Sequence, residues 1–173
     1  MNVTESRRLI LRTWAPDDLD AGLRLWGDAE VMRLVGEPLT RDQVAAAIRA
    51  GMAHQENHGC QHWAVVDRET GDVIGCCGFN TMPGWPEFDD ALELAVHFAR
   101  HAWGRGYATE ALRASVGYAF GNLSPARLLA WTDAQNLAML RVLERTGFEC
   151  LGDRPCWDDD ASLPCFVRRA PIR

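Results

Sequence analysis

A short glycine-containing segment between an apolar strand and a helix constrains this chain more than any other feature. Residues 103–111 read Trp-Gly-Arg-Gly-Tyr-Ala-Thr-Glu-Ala, after the apolar run 91–99 and at the start of the helix predicted over 108–120. Gly104 and Gly106 can adopt backbone angles that other residues rarely adopt, and they let a ligand approach closely. The first amides of a helix lack intrahelical partners and lie at its positive end. The segment therefore predicts a phosphate-binding turn, with Arg105 as an additional charge.

Two better-known phosphate motifs do not fit this segment. No Gly-Lys-Ser/Thr follows the glycines, which excludes a Walker loop. A dinucleotide-binding turn would carry a third glycine where this chain has Thr109. Taken alone, the turn is also compatible with a tight connection that binds nothing, or with a generic phosphate-binding domain.

The order of predicted elements indicates an α+β (α/β) fold with a mixed, mostly antiparallel sheet, and we expect one domain over residues 1–173. Consecutive strands at 62–67, 73–79 and 91–99 predict an antiparallel meander, and the strand–helix units that follow predict a locally parallel region. Such a sheet can splay and leave a slot between strands. The other predicted elements are strands at 9–13, 127–132, 148–152 and 165–169, and helices from 16, from Thr40 to before Gly59, at 108–120 and at 135–146.

Composition and charge argue against several classes of protein. The 18 Lys and Arg against 24 Asp and Glu give a net charge of −6, and no basic run exceeds two residues. Nucleic acid is therefore not an expected partner, whereas a cationic amine is mildly favoured. The apolar runs fall far short of the ~20 residues that span a bilayer, so no membrane partner is expected. The first eight residues lack the apolar core of a signal peptide, so we expect a cytoplasmic protein.

The cysteines and histidines do not predict a metal site. None of the six cysteines forms a Cys-x-x-Cys pair, and we expect buried free thiols. Cys76 and Cys77 are adjacent in a predicted strand and should point to opposite faces. His54, His58 and His62 recur every four residues, but Gly59 interrupts the helix that would align them.

Several segments together resemble the GNAT acetyltransferase superfamily. They are residues 92–96, the glycine-containing segment 103–111, and residues 136–148, which begin with Asn136. The opening Thr4-Glu5, residues 8–12 and Asp18 resemble the branch of ribosomal-protein N-terminal (alanine and serine) acetyltransferases. The resemblance covers residues 4–169 and implies a GNAT-like acyl-CoA N-acyltransferase fold with a splayed sheet.

The resemblance implies acetyl-CoA as the donor, and the spacing of the cysteines and histidines adds no metal to it. The family's pyrophosphate motif falls on Trp103, Gly106 and Ala108, and Trp103 departs from the Gln or Arg of the general pattern. The backbone of the preceding strand would pair with the pantetheine arm, and Asn136 would contact that arm unless it only caps a turn beside Asp133. The implied cofactor-binding residues are Val96, His97, Phe98, Gly104, Arg105, Gly106, Tyr107, Ala108, Thr109 and Asn136.

Acetyl transfer to an amine requires a base, because the amine must be neutral when it attacks the thioester. Glu93 is the candidate base, since it lies in an apolar strand, where burial would raise its pKa. His97 is the second candidate, four residues further along and therefore on the same strand face. Leu143 occupies the position of the family's Tyr general acid, so the acid stays unassigned. No cysteine lies beside a recognisable base, which favours direct transfer.

The acceptor pocket is expected from the first two helices and the loop 80–90. Aromatic and acidic side chains there can bind a cationic amine, although an exposed acidic loop is the alternative. The acceptor is then a protein N-terminus, or a small molecule such as an antibiotic, polyamine or amino acid. A non-catalytic acyl-CoA sensor is a further alternative, and both monomer and homodimer stay open. The candidate acceptor residues are Trp26, Trp85, Glu87, Asp89 and Asp90.

Overall fold

The computed structural model describes residues 1–83, 88, 90–156 and 162–171. Its strands and helices alternate along the chain much as the sequence predicts. The strands are β1 (Asn2–Glu5), β2 (Leu9–Arg12), β3 (His62–Asp67), β4 (Val73–Thr81), β5 (Ala91–Phe98), β6 (Arg127–Trp131), β7 (Glu149–Pro155) and β8 (Ser162–Arg169). The helices are α1 (Leu19–Trp26), α2 (Ala29–Met32), α3 (Arg41–His58), α4 (Tyr107–Tyr118) and α5 (Leu137–Arg145).

The strands form one sheet in the order β1-β2-β3-β4-β5-β6-β8-β7. Six of the neighbouring pairs are antiparallel, and β5 with β6 is parallel. The parallel pairing joins Ala91, Leu92 and Glu93 to residues 127–129 and then stops, while β5 continues to Phe98. The two strands therefore separate beyond Glu93. The mixed, mostly antiparallel and splayed sheet is confirmed.

Helices cover both faces of the sheet. Helix α4 packs on one face together with Trp63, Phe79 and Leu143. On the other face, α1 and α3 pack against a second core that includes Trp14 and Trp26. The two cores contain alternate residues of the same strands, so Cys76 and Cys77 point to opposite faces, as predicted.

Local sequence signals locate the ends of α3. The Thr40 side chain accepts from the Gln43 amide, and the Gln43 side chain accepts from the Thr40 amide, which makes the predicted capping box. Gly59 ends the helix with a φ of 73°, which a residue with a side chain rarely adopts. His62 begins β3, so the three regularly spaced histidines do not share one helix face.

Several sequence-based predictions need correction. The elements β1 and α2 were not expected, since each has only four residues and too little periodicity to stand out. The helix predicted from 16 begins as a 3-10 turn and becomes α1 at Leu19. All six cysteines are free, but Cys150 is exposed and Cys156 is half-buried. Cys150 lies on β7, an edge strand whose side chains are mostly exposed.

Candidate active site

A cleft opens where β5 and β6 separate. It has a volume of about 550 Å³, and its walls come from the end of β5, the glycine turn, the start of α4 and the helix α5. Every residue that the resemblance implies for the cofactor lines this cleft, except Arg105. The fold thus brings together cofactor-binding candidates from residues 96–136 in a cleft whose lining spans residues 30–145.

The glycine turn has the backbone conformation that its sequence predicts. Gly104 and Gly106 have φ angles of 72° and 78°. Gly106 is the N-cap of α4, and no side chain caps this helix start in the described structure. The amides at the beginning of α4 therefore lie at the cleft without a side-chain acceptor. Such an arrangement of amides suits an anion such as a phosphate.

Two long side chains of the turn, those of Arg105 and Trp103, contact neighbouring residues of the protein. The guanidinium of Arg105 lies 5.1 Å from the centre of the Tyr107 ring, and Arg105 does not line the cleft. Trp103 donates from its indole Nε1 to the Phe98 carbonyl over 2.6 Å. Its ring thus ties the turn to the last residue of β5.

The Tyr107 hydroxyl is committed to a buried carboxylate. It donates to Asp67 Oδ2 over 2.7 Å, and this bond lowers the pKa of Asp67 and raises the pKa of Tyr107. Tyr118, the only other tyrosine, packs edge-on against Trp63 in the core. Leu143, at the family's Tyr position, is fully buried. None of these residues presents a free hydroxyl to a leaving thiolate.

Asn136 caps the start of α5, which is one of the two roles expected for it, the other being contact with the pantetheine arm. It is the N-cap of α5, and its Oδ1 accepts from the Met139 amide over 3.1 Å. Asn136 also lines the cleft. Its oxygen therefore fixes the start of α5, and its amide nitrogen is the group that stays available to the cofactor arm.

Glu93 lies where the pairing of β5 with β6 ends, three residues before Val96, the first residue of β5 that lines the cleft. It is half-buried, and it is the last residue of β5 that pairs with β6, opposite Leu129. The pairing of β4 with β5 runs from Gly75 to Thr81 without a bulge, so Glu93 and His97 share one face, as predicted. This is the face covered by α1 and α3.

His97 is a poor base in this environment. Its Nδ1 lies 3.4 Å from the indole Nε1 of Trp26 and 3.5 Å from the Sγ of Cys76, and both of those atoms can donate to it. Burial lowers the pKa of His97 to about 4. The ring is thus neutral near pH 7, with its proton on Nε2, and the Nδ1 lone pair is already used.

The expected acceptor residues are only partly in place. Trp26 is 9% exposed and its ring packs 5.0 Å from Trp14, so it belongs to the core rather than to an open pocket wall. Asp90 is exposed and forms an ion pair with Arg127 at 2.7 Å. Trp85, Glu87 and Asp89 lie outside the described residues.

The segment after α1 contributes cleft residues that were not predicted. Glu30, Arg33 and Val35 line the cleft, as does Leu137 at the start of α5. Val35 and Leu137 are 54% and 59% exposed, which is unusual for large apolar side chains. Their sequence signal is weak, because isolated apolar residues in a polar segment match no motif.

Two further features of the described residues are the grouping of possible metal ligands and the length and apolarity of the helices. In residues 1–83, 88, 90–156 and 162–171, no three His, Cys, Asp or Glu side chains are grouped as metal ligands. No helix in the same part of the chain has the length and apolarity to cross a membrane.

Comparison with known families agrees with this architecture. A model described as the acetyltransferase (GNAT) domain matches residues 8–149, and the chain belongs to this family of acetyltransferases. YkkB of Bacillus subtilis (strain 168), named as an uncharacterized protein, is 31% identical over 123 residues, or 71% of this chain and 70% of that protein. An N-acetyltransferase named p20 of Bacillus licheniformis is 27% identical over 155 residues, 86% of this chain and 83% of its own length.

Solved structures share the fold over nearly the whole chain. An acetyltransferase from Agrobacterium tumefaciens is 26% identical with a TM-score of 0.81, covering 96% of this chain and 94% of that one. The ribosomal L7/L12 alpha-N-protein acetyltransferase RimL, in complex with coenzyme A, has a TM-score of 0.79 at 15% identity and covers 98% of both chains. The aminoglycoside acetyltransferase AAC(6')-Ib, also with coenzyme A, has a TM-score of 0.77 at 18% identity, covering 93% and 94%.

Proposed function

We propose that this acetyltransferase moves the acetyl group of acetyl-CoA to a primary amine, most consistently the α-amine of a protein N-terminus. The observation that carries the donor is the cleft at Gly104 and Gly106, where the uncapped amides of α4 meet the unpaired edge of β5. The amides suit the pyrophosphate, and the free strand edge suits the amide-containing pantetheine arm. Two structural neighbours with the same fold were solved with coenzyme A.

The proposed reaction is a direct attack on the thioester. The neutral amine nitrogen forms a bond to the acetyl carbon, the carbon–sulfur bond breaks, and the thiolate of CoA leaves. Glu93 accepts the proton from the amine, directly or through a water, and the thiolate takes its proton from water. A backbone amide of β5 near Val96 stabilises the developing oxyanion. An α-amine with a pKa near ~8 needs only a modest base of this kind.

A covalent route through Cys76 is the less favourable mechanism. Its Sγ lies 3.5 Å from His97, which resembles a nucleophile and base pair. However, Cys76 is fully buried, and burial raises the pKa of its thiol to about 12. A thiol in this state contains almost no thiolate near pH 7.

The protein N-terminus is proposed over a small amine because of the opening sequence. Thr4-Glu5, residues 8–12 and Asp18 resemble the ribosomal-protein branch, and Arg12 and Asp18 form a bidentate ion pair that joins β2 to the start of the first helix. The second candidate acceptor is a small-molecule amine. It is supported by the structural neighbour that is named an aminoglycoside acetyltransferase.

Release of the CoA thiol tests this function. The chain is mixed with acetyl-CoA and one acceptor at a time, from N-terminal peptides beginning with Ala or Ser, polyamines and aminoglycosides, and the acetylated product is identified by mass spectrometry. Turnover with the peptides supports the proposal, and turnover with only a small amine supports the second candidate. Binding of acetyl-CoA without turnover on any acceptor would favour a sensor.

A further inference from the structure

The side chain of Arg8, which does not line the cleft, contacts the glycine turn. Arg8, just before β2, donates from NH1 to the carbonyl of Arg105 over 3.0 Å. Its guanidinium carbon lies 4.4 Å from the centre of the Tyr107 ring. It therefore contacts residues on both sides of Gly106, although it is about 100 residues away in sequence.

Glu110, in the first turn of α4, fixes that guanidinium. Its Oε2 accepts from Arg8 Nε over 2.7 Å and lies 2.7 Å from NH2. Its Oε1 accepts from the Arg8 backbone amide over 2.8 Å and from the Ser6 hydroxyl over 2.7 Å. The β1–β2 connection is thus attached to the same helical turn whose amides face the cleft.

This geometry leaves little of Arg8 for direct phosphate binding. All three guanidinium nitrogens have acceptors, and the carboxylate of Glu110 balances the charge. An acidic side chain within one helical turn of an anion site also opposes anion binding by charge alone. The pair therefore fits a mechanical role better than an electrostatic one.

The glycine turn is the part of the site that needs such support. Gly104 and Gly106 both have positive φ, and a Gly-x-Gly segment loses more conformational entropy on ordering than other sequences. A ligand that must order the turn binds more weakly than one that meets it already ordered. A fixed Arg105 carbonyl and a fixed Tyr107 ring restrict the turn at the residues that flank Gly106.

We propose that Arg8, held by Glu110, is a positioning residue that keeps the glycine turn in its phosphate-binding conformation. The inference rests on the proposed binding of acetyl-CoA in the cleft. Lysine cannot replace Arg8, because an ammonium group cannot pair with Glu110, reach the Arg105 carbonyl and stack on Tyr107 at once.

Calorimetric titration with CoA tests the proposal on the variants Arg8→Lys and Glu110→Gln. Both should raise the Kd by about tenfold, in the range of coupling within one hydrogen-bond network. The matched control is Arg12→Lys, at the end of β2, which disturbs the bidentate pair of Arg12 with Asp18. Its Kd should stay within about twofold while its melting temperature falls. Each variant is titrated well below its own melting temperature.

Glu110→Gln separates positioning from charge by the sign of its effect. If charge dominates, loss of the Glu110 carboxylate beside the anion site should tighten CoA binding. If positioning dominates, the weaker hold of residue 110 on Arg8 should weaken CoA binding. Unchanged or tighter CoA binding by Glu110→Gln, or an unchanged Kd for Arg8→Lys, would overturn the positioning role alone. Absence of CoA binding by the unaltered chain would instead overturn the proposed function, and this inference with it.

Discussion

Trp26 donates from its indole Nε1 to the imidazole Nδ1 of His97 over 3.4 Å, and this contact joins α1 to β5 beneath the candidate active site. Each residue therefore has a structural role, as a hydrogen-bond partner of the other. The indole nitrogen obtains an acceptor inside the core, and the imidazole is held neutral. The sequence marks both as candidate site residues, and the structure gives each the other as a hydrogen-bond partner.

The first prediction concerns His97 and stability against pH. Burial lowers its pKa from 6.5 to about 4 in the folded chain, so the unfolded chain binds the proton more readily. The stabilisation is therefore complete above pH 6.5 and is lost as the pH falls from there toward 4. Chemical denaturation at several pH values should show that the free energy of unfolding changes less with pH for His97→Gln than for the unaltered chain. A slope of that free energy against pH for His97→Gln equal to that of the unaltered chain would contradict this prediction.

The second prediction concerns the base. Glu93→Gln should lower kcat by about 100-fold, within the usual contribution of general base catalysis, and leave acetyl-CoA affinity nearly unchanged. His97→Gln should lower kcat much less, because the Nδ1 lone pair of His97 is already used. Steady-state kinetics and calorimetry on the two variants check this order. A larger loss from His97→Gln than from Glu93→Gln would assign the base to the histidine.

The third prediction compares two glycines with the same backbone angle. Gly106 and Gly71 both have a φ of 78°, and an added Cβ would meet no atom closer than 3.7 Å at either position. Alanine at each should cost about 1–2 kcal/mol of unfolding free energy through backbone strain. Only Gly106→Ala should weaken acetyl-CoA binding, by about tenfold or ~1.4 kcal/mol, since Gly71 lies in the β3–β4 hairpin. Equal affinities for the two variants would remove the turn from the binding site.

The fourth prediction concerns direct transfer. Cys76→Ala should keep kcat within about twofold of the unaltered enzyme, because direct attack needs no thiol nucleophile. Cys77→Ala, on the opposite face of β4, is the control for the loss of a buried sulfur. Intact-mass spectrometry after mixing with acetyl-CoA alone should show no acetylated protein. An acetyl adduct that disappears in Cys76→Ala would establish a covalent intermediate.

Local signals explain the parts of the fold that were predictable. The Thr40 capping box and the ends of α3 depend on residues close together in the sequence, so the sequence alone predicts them. The conformation of Gly104 and Gly106 is local for the same reason. The antiparallel meander and the locally parallel region were accessible from the run of strands, and the sheet has both.

Long-range contacts explain what the sequence did not predict. Arg8 and Glu110 are 102 residues apart, and Glu110 taken alone fits a first-turn acid that only complements the helix dipole. Trp26 looked like a pocket wall because its helical spacing does not say which layer covers it. The contact of Arg105 with the ring of Tyr107 forms only in the folded turn, so the sequence does not predict it.

The most direct test of the account is a calorimetric titration of the unaltered chain with acetyl-CoA, with ATP and NAD as comparison ligands. The cleft between β5 and the start of α4 predicts saturable binding of one acetyl-CoA per chain below about 1 mM, a range common for enzyme substrates. It also predicts weaker binding of ATP and NAD, which lack the pantetheine arm. No binding of acetyl-CoA at that concentration, or tighter binding of ATP or NAD, would contradict the central claim.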